Sequence, residues 1–307
     1  MESIPCNLCG SREHVLVREC REQRYNTSVP FSLVKCTHCE LVYLNPRPSE
    51  REILVYYPPA YQAAIRQVLQ EVRQSRIGLM GLRIMRRLRK PPLLKVGRVL
   101  DIGCSGGDYL AYLRTLGWEV YGIELDKEAA RYAREHFGLN VCVGAAERTL
   151  SDFQNESFDI VTMWHVLEHV FDPSLVLAEV YRVLRPGGIL MLEMPNFNSL
   201  WASILGKYWF PLEIPRHLYH FTPLTLKAIL TKTGFSLTTL VGVAAPIEII
   251  WSLRVLWNRW KHTSQDWQLV WSATSVVLLY PVEWLLARLQ RSTFMQAVVV
   301  KPSPVKS

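Results

Sequence analysis

The sequence lacks a hydrophobic run long enough to cross a bilayer. The longest uncharged stretch, Trp267 to Val282, is shorter than the roughly 20 apolar residues of a spanning helix, and polar residues interrupt it. No apolar segment follows a basic N-terminus, since residues 1–9 are polar, so no secretory signal is recognised. Repeats and low-complexity tracts are also missing. These absences predict a folded protein that stays in the cytoplasm.

Excess positive charge is missing from most of the chain. The formal net charge is +8 over 307 residues, but residues 62–98 alone hold ten lysines and arginines against the single acid Glu71, a local balance of +9. Apolar residues recur there at roughly helical spacing, which predicts a basic amphipathic helix. Such a helix either covers the next domain with its arginines in water or lies along phosphates or an anionic membrane.

Disulfides are not expected in a reducing compartment, so the seven cysteines need another explanation. Two CxxC pairs, Cys6 with Cys9 and Cys36 with Cys39, have the spacing of a zinc ribbon. Each pair would form a tight knuckle that directs two thiolates to one tetrahedral ion. Four thiolates leave no open position, so the zinc would be structural. A redox CxxC would instead be a single pair near a βαβ pattern.

The remaining cysteines have weaker interpretations. Cys20 and His14 lie between the two pairs and are alternative zinc ligands. Cys104 and Cys142 lie within apolar stretches, which favours small buried residues over nucleophiles.

A dinucleotide fingerprint is missing from the glycine-rich loop after residue 100. GxGxxG spacing would require glycine at positions 105 and 108, where the chain has Ser105 and Asp108. The loop reads DxGxxGG and lies between a predicted strand, "GRVLDIG", and a predicted helix, "DYLAYLRTLG". The next strand, "WEVYGIEL", places Glu124 where a Rossmann-like fold presents an acid to ribose hydroxyls. The loop therefore argues against a dinucleotide site, whereas the two oxygens of Glu124 suit a vicinal diol.

Strands and helices continue to alternate after this loop. Further strands are predicted at "NVCVG", from Phe158 to Met163 and at "ILMLEMPN", and a helix is predicted to start at Asp172 and Pro173. The alternation predicts a doubly wound α/β sheet, in which ligands gather at the carboxyl ends of the strands.

Residues 99–196 resemble the class I S-adenosylmethionine-dependent methyltransferases, particularly the branch of ubiquinone-pathway O-methyltransferase-like proteins. The blocks "VLDIGCSGG", "YGIELD", "FDIV", "HVLEHVFDP" and "LRPGG" match that family in order and spacing. The resemblance implies a Rossmann-like, doubly wound, seven-stranded α/β sheet that ends in an antiparallel pair, here "FSLTTLVGV" and "FMQAVVVKP". It also implies that S-adenosyl-L-methionine is the methyl donor.

The resemblance further implies a set of donor-binding residues. Glu124 would take the ribose hydroxyls, Leu125 would lie along the adenine, and Asp101 would orient the loop or reach the donor's amino group through water. Since "GAAE" lacks the acid that many relatives place there, Glu147 or a backbone carbonyl would meet the adenine amino group. The complete implied set is Asp101, Gly103, Cys104, Gly106, Gly107, Glu124, Leu125, Ala146, Glu147 and His165.

Methyl transfer from a sulfonium depends mainly on placing the nucleophile opposite sulfur in a dry pocket. A base is needed only if the acceptor arrives protonated. His165, just past the fourth strand, is predicted to line the site, and His217 in "PRHLYHFT" is the second candidate for acid or base work. His217 and His220 could instead hydrogen-bond backbone carbonyls, and His169 is interpreted as a capping or packing residue.

Residues 244–293 are predicted to be a helical apolar insertion before the last strand. Their tryptophans are Trp251, Trp257, Trp260, Trp267, Trp271 and Trp284. An apolar cap over the substrate pocket, a dimer face and a peripheral membrane contact all fit this composition.

The predicted organisation is a zinc ribbon at 1–45, a connector with the basic helix at 46–97, a methyltransferase domain at 98–301 and a flexible tail at 302–307. The predicted function is methyl transfer to oxygen, nitrogen or carbon of a small-molecule, glycan or lipid-linked acceptor. The alternatives are an RNA methyltransferase and a non-catalytic scaffold with the same fold. Nucleic acid is disfavoured because the ribbon is not basic and an Asn-Pro-Pro-Tyr-like motif is missing after the fourth strand.

Overall fold

A computed structural model describes residues 1–22, 29–58, 89–92, 95–261 and 273–304, together with residues 63, 67, 70, 71, 74–76 and 79–81. Within these residues the strands are β1 His14–Arg21, β2 Pro30–Cys36, β3 Val42–Leu44, β4 Arg98–Ile102, β5 Glu119–Glu124, β6 Asn140–Val143, β7 Phe158–Trp164, β8 Leu184–Pro195, β9 Tyr219–His220, β10 Ser236–Val243 and β11 Phe294–Val300. The helices are α1 Asp108–Thr115, α2 Lys127–Phe137, α3 Ala146–Thr149, α4 Pro173–Val183, α5 Leu200–Leu205, α6 Pro223–Lys232, α7 Pro246–Lys261 and α8 Ala273–Arg288.

The larger sheet of the described residues has seven strands in the order β10-β11-β8-β7-β4-β5-β6. Strands β4 to β8 run parallel, and β11 is antiparallel to both of its neighbours. Helices cover the sheet, so its central strands are apolar on both faces, as Val99, Leu100, Ile160 and Val161 show with no solvent exposure. The predicted doubly wound sheet with its terminal antiparallel pair is confirmed.

The helices begin where the sequence places their capping residues. Asp126 and Asp172 accept hydrogen bonds from the backbone N–H groups of Glu128 and Leu175, and Thr222 forms a capping box with Thr225. One boundary differs from expectation, since β8 begins at residue 184 and includes the "LRPGG" segment ahead of the predicted strand.

A second sheet joins the N-terminal region to the larger domain. Its order is β1-β2-β3-β9, and β9 comes from the segment that precedes α6. Val42 pairs with His220 and Tyr43 with Tyr219 in antiparallel register. The ribbon sheet is therefore completed by two residues that lie far along the chain.

Helices α7 and α8 lie between β10 and β11, where the insertion was predicted. The ring of Trp251 in α7 stacks on Phe210 at 5.5 Å between ring centroids, and α8 packs against α7 and β10. Among the described residues, none of the helices is both long and apolar enough to span a bilayer.

Most of the predicted basic amphipathic helix lies outside the described residues, including its apolar positions 65, 68, 69, 72, 77, 84 and 88. The single described positions Gln67, Glu71 and Leu79 are helical, and the Gln67 side-chain amide donates to the Glu71 carboxylate at 2.9 Å. Of the tryptophans, positions 267 and 271 also fall outside the described residues.

Candidate active site

The glycine loop turns back over the end of β5. Gly103 has φ +76°, and a Cβ added there would lie 2.5 Å from Cγ2 of Val166, so glycine is required at this position. The N–H groups of Gly103 and Cys104 donate to the Ile123 carbonyl at 2.8 and 3.1 Å. The N–H of Ser105 donates to the Glu124 carboxylate at 2.7 Å. These three N–H groups are therefore used within the protein, and they set the shape of the loop.

Glu124 stands at the end of β5, as predicted, and connects the loop to the start of α2. Its second carboxylate oxygen accepts a hydrogen bond from the Asp126 N–H at 2.8 Å. Burial raises the pKa of Glu124, although the N–H groups of Asp126 and Ser105 act in the opposite direction. Each carboxylate oxygen keeps a lone pair beyond these bonds, which is what a vicinal diol requires. Leu125 follows at the surface with 62% of its area exposed.

Asp101 lies beneath the loop, buried within β4. The Thr162 hydroxyl on the neighbouring strand β7 donates to its carboxylate at 2.6 Å. Burial, partly opposed by this hydrogen bond, raises the pKa of Asp101 to about 7. The pair ties β4 to β7 near their carboxyl ends. The predicted role of Asp101 in orienting the loop stays a prediction.

The "GAAE" segment, residues 144–147, leads into the start of α3. Ala146 is buried there, and the Glu147 carboxylate accepts a hydrogen bond from the Phe171 N–H at 2.7 Å. This contact ties Glu147 to the segment that precedes α4. Its predicted contact with adenine stays a prediction.

His165 follows β7 with φ +57° and lies between two buried carboxylates. Its Nε2 is 3.2 Å from Oε1 of Glu193, and its Nδ1 is 3.6 Å from Oε1 of Glu168. Burial disfavours the charged ring, but the two carboxylates outweigh it and raise the pKa of His165 to about 9. The ring is therefore a charged hydrogen-bond donor at neutral pH, whereas a general base would have to be neutral.

Arg89 completes this cluster from the N-terminal side. Its guanidinium donates to the Glu193 carboxylate and lies 4.5 Å from the centre of the Trp164 ring. The Tyr109 hydroxyl donates to the Arg89 carbonyl at 2.6 Å. Burial raises the pKa of Glu193, but the charges of His165 and Arg89 prevail and lower it to about 2.

Glu168 also belongs to a second group with His169 and His217. The ligand atoms of these three side chains lie within 4.8 Å of one another. Glu168 is 2% exposed, and apart from its ion pair with His165 its carboxylate oxygens have no hydrogen-bond partner among the residues that the structure describes. A carboxylate and two imidazoles are suitable ligands for a divalent cation, so these residues could hold one.

The histidines of the "PRHLYHFT" segment are buried. Nδ1 of His217 is 2.9 Å from the Pro211 carbonyl oxygen, which is the alternative that the sequence left open. Burial, with the neighbouring His169, lowers the pKa of His217 to about 4. His220 is also buried, and burial lowers its pKa well below the usual value. Nδ1 of His169 lies 3.1 Å from the Arg216 carbonyl, as expected of a packing residue.

The four ribbon cysteines converge on one point. Sγ of Cys6 is 3.4 Å from Sγ of Cys39, Sγ of Cys9 is 3.4 Å from Sγ of Cys36, and all four lie within 4.8 Å of one another. Thiolates around a tetrahedral zinc ion are about 3.8 Å apart, so this cluster fits the ion. Burial disfavours ionisation of Cys36, but the N–H groups of Cys39 and His38 stabilise its thiolate and help to lower its pKa to about 7.

The alternative ligands do not join this cluster. The four-cysteine group contains neither Cys20, which is buried elsewhere, nor His14, whose Nδ1 is 2.8 Å from the Arg12 carbonyl oxygen. Cys104 is buried and Cys142 is half-buried.

Sequence reasoning missed several residues of the site. They are Arg89, Thr162, Glu168 and Glu193. Glu168 and Glu193 stand in the apolar stretches "HVLEHV" and "ILMLEMP", and a buried charge requires a partner. That signal could have identified both acids, but it does not identify their partners.

The chain is similar to known proteins over its central region. A family model described as "Methyltransferase domain" matches residues 71–240. A ubiquinone biosynthesis O-methyltransferase from Xanthomonas oryzae pv. oryzae is 33% identical over 157 residues, which are 48% of this chain and 65% of that relative. One of the same name from Aromatoleum aromaticum is 32% identical over 168 residues, which are 51% of this chain and 71% of that relative.

A solved structure shows the same fold. It is described as a SAM-dependent methyltransferase from Archaeoglobus fulgidus, and it is 22% identical with a TM-score of 0.52. The match covers 77% of this chain and 99% of that one.

Proposed function

The chain belongs to the methyltransferase-domain family, and from this premise we propose that it transfers a methyl group from S-adenosylmethionine to a small-molecule, glycan or lipid-linked acceptor. The observation that carries the proposal is the Glu124 carboxylate at the end of β5, fixed by the N–H groups of Ser105 and Asp126 beside the glycine loop. A fixed acid at this strand end is suited to a ribose diol.

The donor would supply an electrophilic methyl group, and the protein's own residues would hold the donor in position. Glu124 would hold the ribose, and Asp101 with Thr162 would keep the loop in place. We assign Gly103, Cys104, Gly106 and Gly107 to the donor side of the loop, with Leu125, Ala146 and Glu147 around the adenine.

His165 is proposed to line the site as a charged donor rather than as a base. Glu168 and Glu193 stabilise its imidazolium form. His217 has the neutral form that a base requires, and its Nδ1 bond to the Pro211 carbonyl leaves Nε2 as the basic nitrogen, but burial lowers its pKa to about 4 and makes it a weak base. An acceptor that is already ionised or intrinsically nucleophilic would need no base from the chain.

A zinc ion at Cys6, Cys9, Cys36 and Cys39 is part of the proposal. Its role would be structural, because four thiolates fill the tetrahedral shell. The ion would stabilise the ends of β2 and β3, and β3 in turn pairs with β9.

The first acceptor to test is a phenolic hydroxyl on a lipid-linked ring. The curated relatives are named as O-methyltransferases of ubiquinone biosynthesis. The matched region is only part of each relative, so this acceptor class is tested after donor binding.

Calorimetric titration with S-adenosylmethionine and S-adenosylhomocysteine tests the donor site. Micromolar binding is expected in the wild type, with a loss of about tenfold or more in Glu124→Ala because two charge-assisted hydrogen bonds to the diol disappear. Glu128→Ala, an exposed acid in the next helix, should bind like the wild type.

Two outcomes would contradict the proposal. If folded, zinc-loaded wild type binds neither ligand, the non-catalytic scaffold becomes the better interpretation. Equal binding by Glu124→Ala and Glu128→Ala would remove Glu124 from the donor site.

A further inference from the structure

The outward face of α8 is apolar where a helix exposed to water is normally charged. Val277, Leu278 and Leu285 of α8, and Leu289 just after its end, expose 68, 70, 55 and 62% of their surfaces. Spacings of three, four and seven residues place these side chains on one side of the helix, together with Pro281 and Val282. Exposed apolar stripes of this kind mark interaction surfaces.

The single acid of α8 faces the opposite way. Glu283 is fully buried and accepts hydrogen bonds from the Trp201 indole N–H at 2.8 Å and the Ala245 N–H at 2.9 Å. Leu286 is buried on the same side. The helix is therefore anchored by a buried polar network, and its apolar stripe is the face left outside.

Helix α7, which packs against α8, also exposes apolar residues, namely Leu253, Leu256 and Trp257. Aromatic rings with polar tips stand beside the stripe, since Tyr280 and Trp284 each expose about half of their area. The Arg288 guanidinium lies 4.6 Å from the centre of the Trp284 ring. Tryptophan, tyrosine and arginine around an apolar stripe are typical of helices that lie in a membrane interface.

The charges of the described residues on α7 and α8 favour an anionic partner. Among the described residues of α7 and α8 no acidic side chain is exposed, because Glu283 is buried and Glu248 is half-buried. Arg288 is exposed at the end of α8, so the described charge of this face is positive. A second copy would bring the same positive charge against this face in an isologous contact, whereas anionic lipid would neutralise it.

We propose that the outer face of α7 and α8 docks on the surface of an anionic phospholipid membrane. The apolar stripe would enter the boundary between headgroups and acyl chains while Arg288 stays at the phosphates. This inference is independent of methyl transfer, because it rests on exposed residues outside the donor site. The contact is peripheral, since no described helix is long and apolar enough to span.

Sedimentation of the full-length protein with vesicles tests the proposal. The two vesicle types are phosphatidylcholine alone and a 3:1 mixture of phosphatidylcholine and phosphatidylglycerol. We expect binding to the mixture, and a drop of about tenfold or more in the partition coefficient for Leu278→Glu with Leu285→Glu, because two apolar anchors are lost and two negative charges are added. The matched control is Val55→Glu with Leu224→Glu, two equally exposed apolar residues elsewhere, which should bind like the wild type.

Two results would overturn the proposal. The first is that the wild type does not bind the anionic vesicles, and the second is that both double variants bind them equally. Sedimentation velocity without lipid tests whether a second copy of the chain occupies this face instead. A wild-type dimer that Leu278→Glu with Leu285→Glu dissociates, with no vesicle binding, would assign the face to a second copy of the chain. Unchanged thermal unfolding and donor titration in both double variants would show that the fold and the donor site are intact.

Discussion

Glu193 stands within an apolar strand and depends on two cations for its charge. His165 and Arg89 lie on either side of its carboxylate, and together they lower its pKa to about 2 despite burial. The same interaction raises the pKa of His165, so the acid and the histidine stabilise each other's charged form. Residues that are far apart in the sequence therefore decide the protonation states at the end of β7.

The charged state of His165 predicts a pH dependence of stability. Its folded pKa of about 9 lies above the ordinary value of 6.5, so its contribution to the free energy of unfolding is complete below pH 6.5 and disappears as pH rises through 9. Because the ring is partly exposed, we expect wild type to exceed His165→Gln by about 1 to 2 kcal/mol at pH 6. Urea unfolding at pH 6.0, 7.5 and 9.5 measures this difference, and a difference that does not change with pH would contradict the assignment.

Gly103 predicts a steric effect that can be separated from backbone strain. Gly103→Ala should lower the free energy of unfolding by about 2 to 4 kcal/mol, because the new Cβ would meet Val166 in a left-handed backbone. Gly138 also has a positive φ, but nothing lies within 4 Å of its added Cβ, so Gly138→Ala should cost only about 1 kcal/mol. Denaturant titration of both variants checks the ordering, and equal losses would exclude the clash.

At the scale of elements, the two-residue strand β9 joins the ribbon sheet to the larger domain. Two residues, Tyr219 and His220, pair with β3 and attach the ribbon sheet to the segment that carries His217. Tyr43 and Tyr219 also stack with their ring centroids 6.4 Å apart. A change at the cysteine cluster should therefore reach the larger domain through β3 and β9.

Loss of the zinc ion proposed here should destabilise more than the ribbon. Purified protein is expected to carry one zinc per chain by elemental analysis, and Cys9→Ala should lose it. Its Tm should fall by about 5 °C or more, since a structural zinc ion contributes folding free energy and β3 supports β9. Cys142→Ala, outside the cluster, should keep the full zinc content, and retention of zinc by Cys9→Ala would rule out the four-cysteine site.

At the scale of the whole molecule, one apolar cluster contains residues of both sheets. Phe31 and Leu33 of the ribbon belong to the same cluster as Phe158 and Leu226 of the larger domain. A buried ion pair crosses the same boundary, with Nη2 of Arg216 donating to Glu22 at 3.0 Å. The ribbon and the larger sheet should therefore unfold in one cooperative transition.

Removing the cation of that pair tests the connection. Arg216→Met removes the guanidinium that the buried Glu22 and the half-buried Glu213 share, and should cost about 3 to 5 kcal/mol. Adding Glu22→Gln should restore part of this loss, because it removes one of the two negative charges that the guanidinium balanced. Calorimetry should show one transition in every variant, and a separate early transition in Arg216→Met would indicate that the ribbon unfolds alone.

The amino-acid sequence by itself determined the alternation of strands and helices, the helix start at Asp172 and Pro173, and the two CxxC pairs. These features depend on local rules, namely hydrophobic period, capping chemistry and ligand spacing, which act over a few neighbouring residues. The place of Glu124 follows for the same reason, because the end of a strand is a local position.

Tertiary structure alone decided the partners of these residues. The sequence could not show that Glu168 is shared between His165 and the pair His169 and His217, or that β9 completes the ribbon sheet. The sequence also left open what residues 244–293 contact. Only the packing of α8 showed that Glu283 faces inward while the apolar stripe faces out. Pairing, burial and pKa depend on distances between residues remote in the chain, and those distances exist only after the chain has folded.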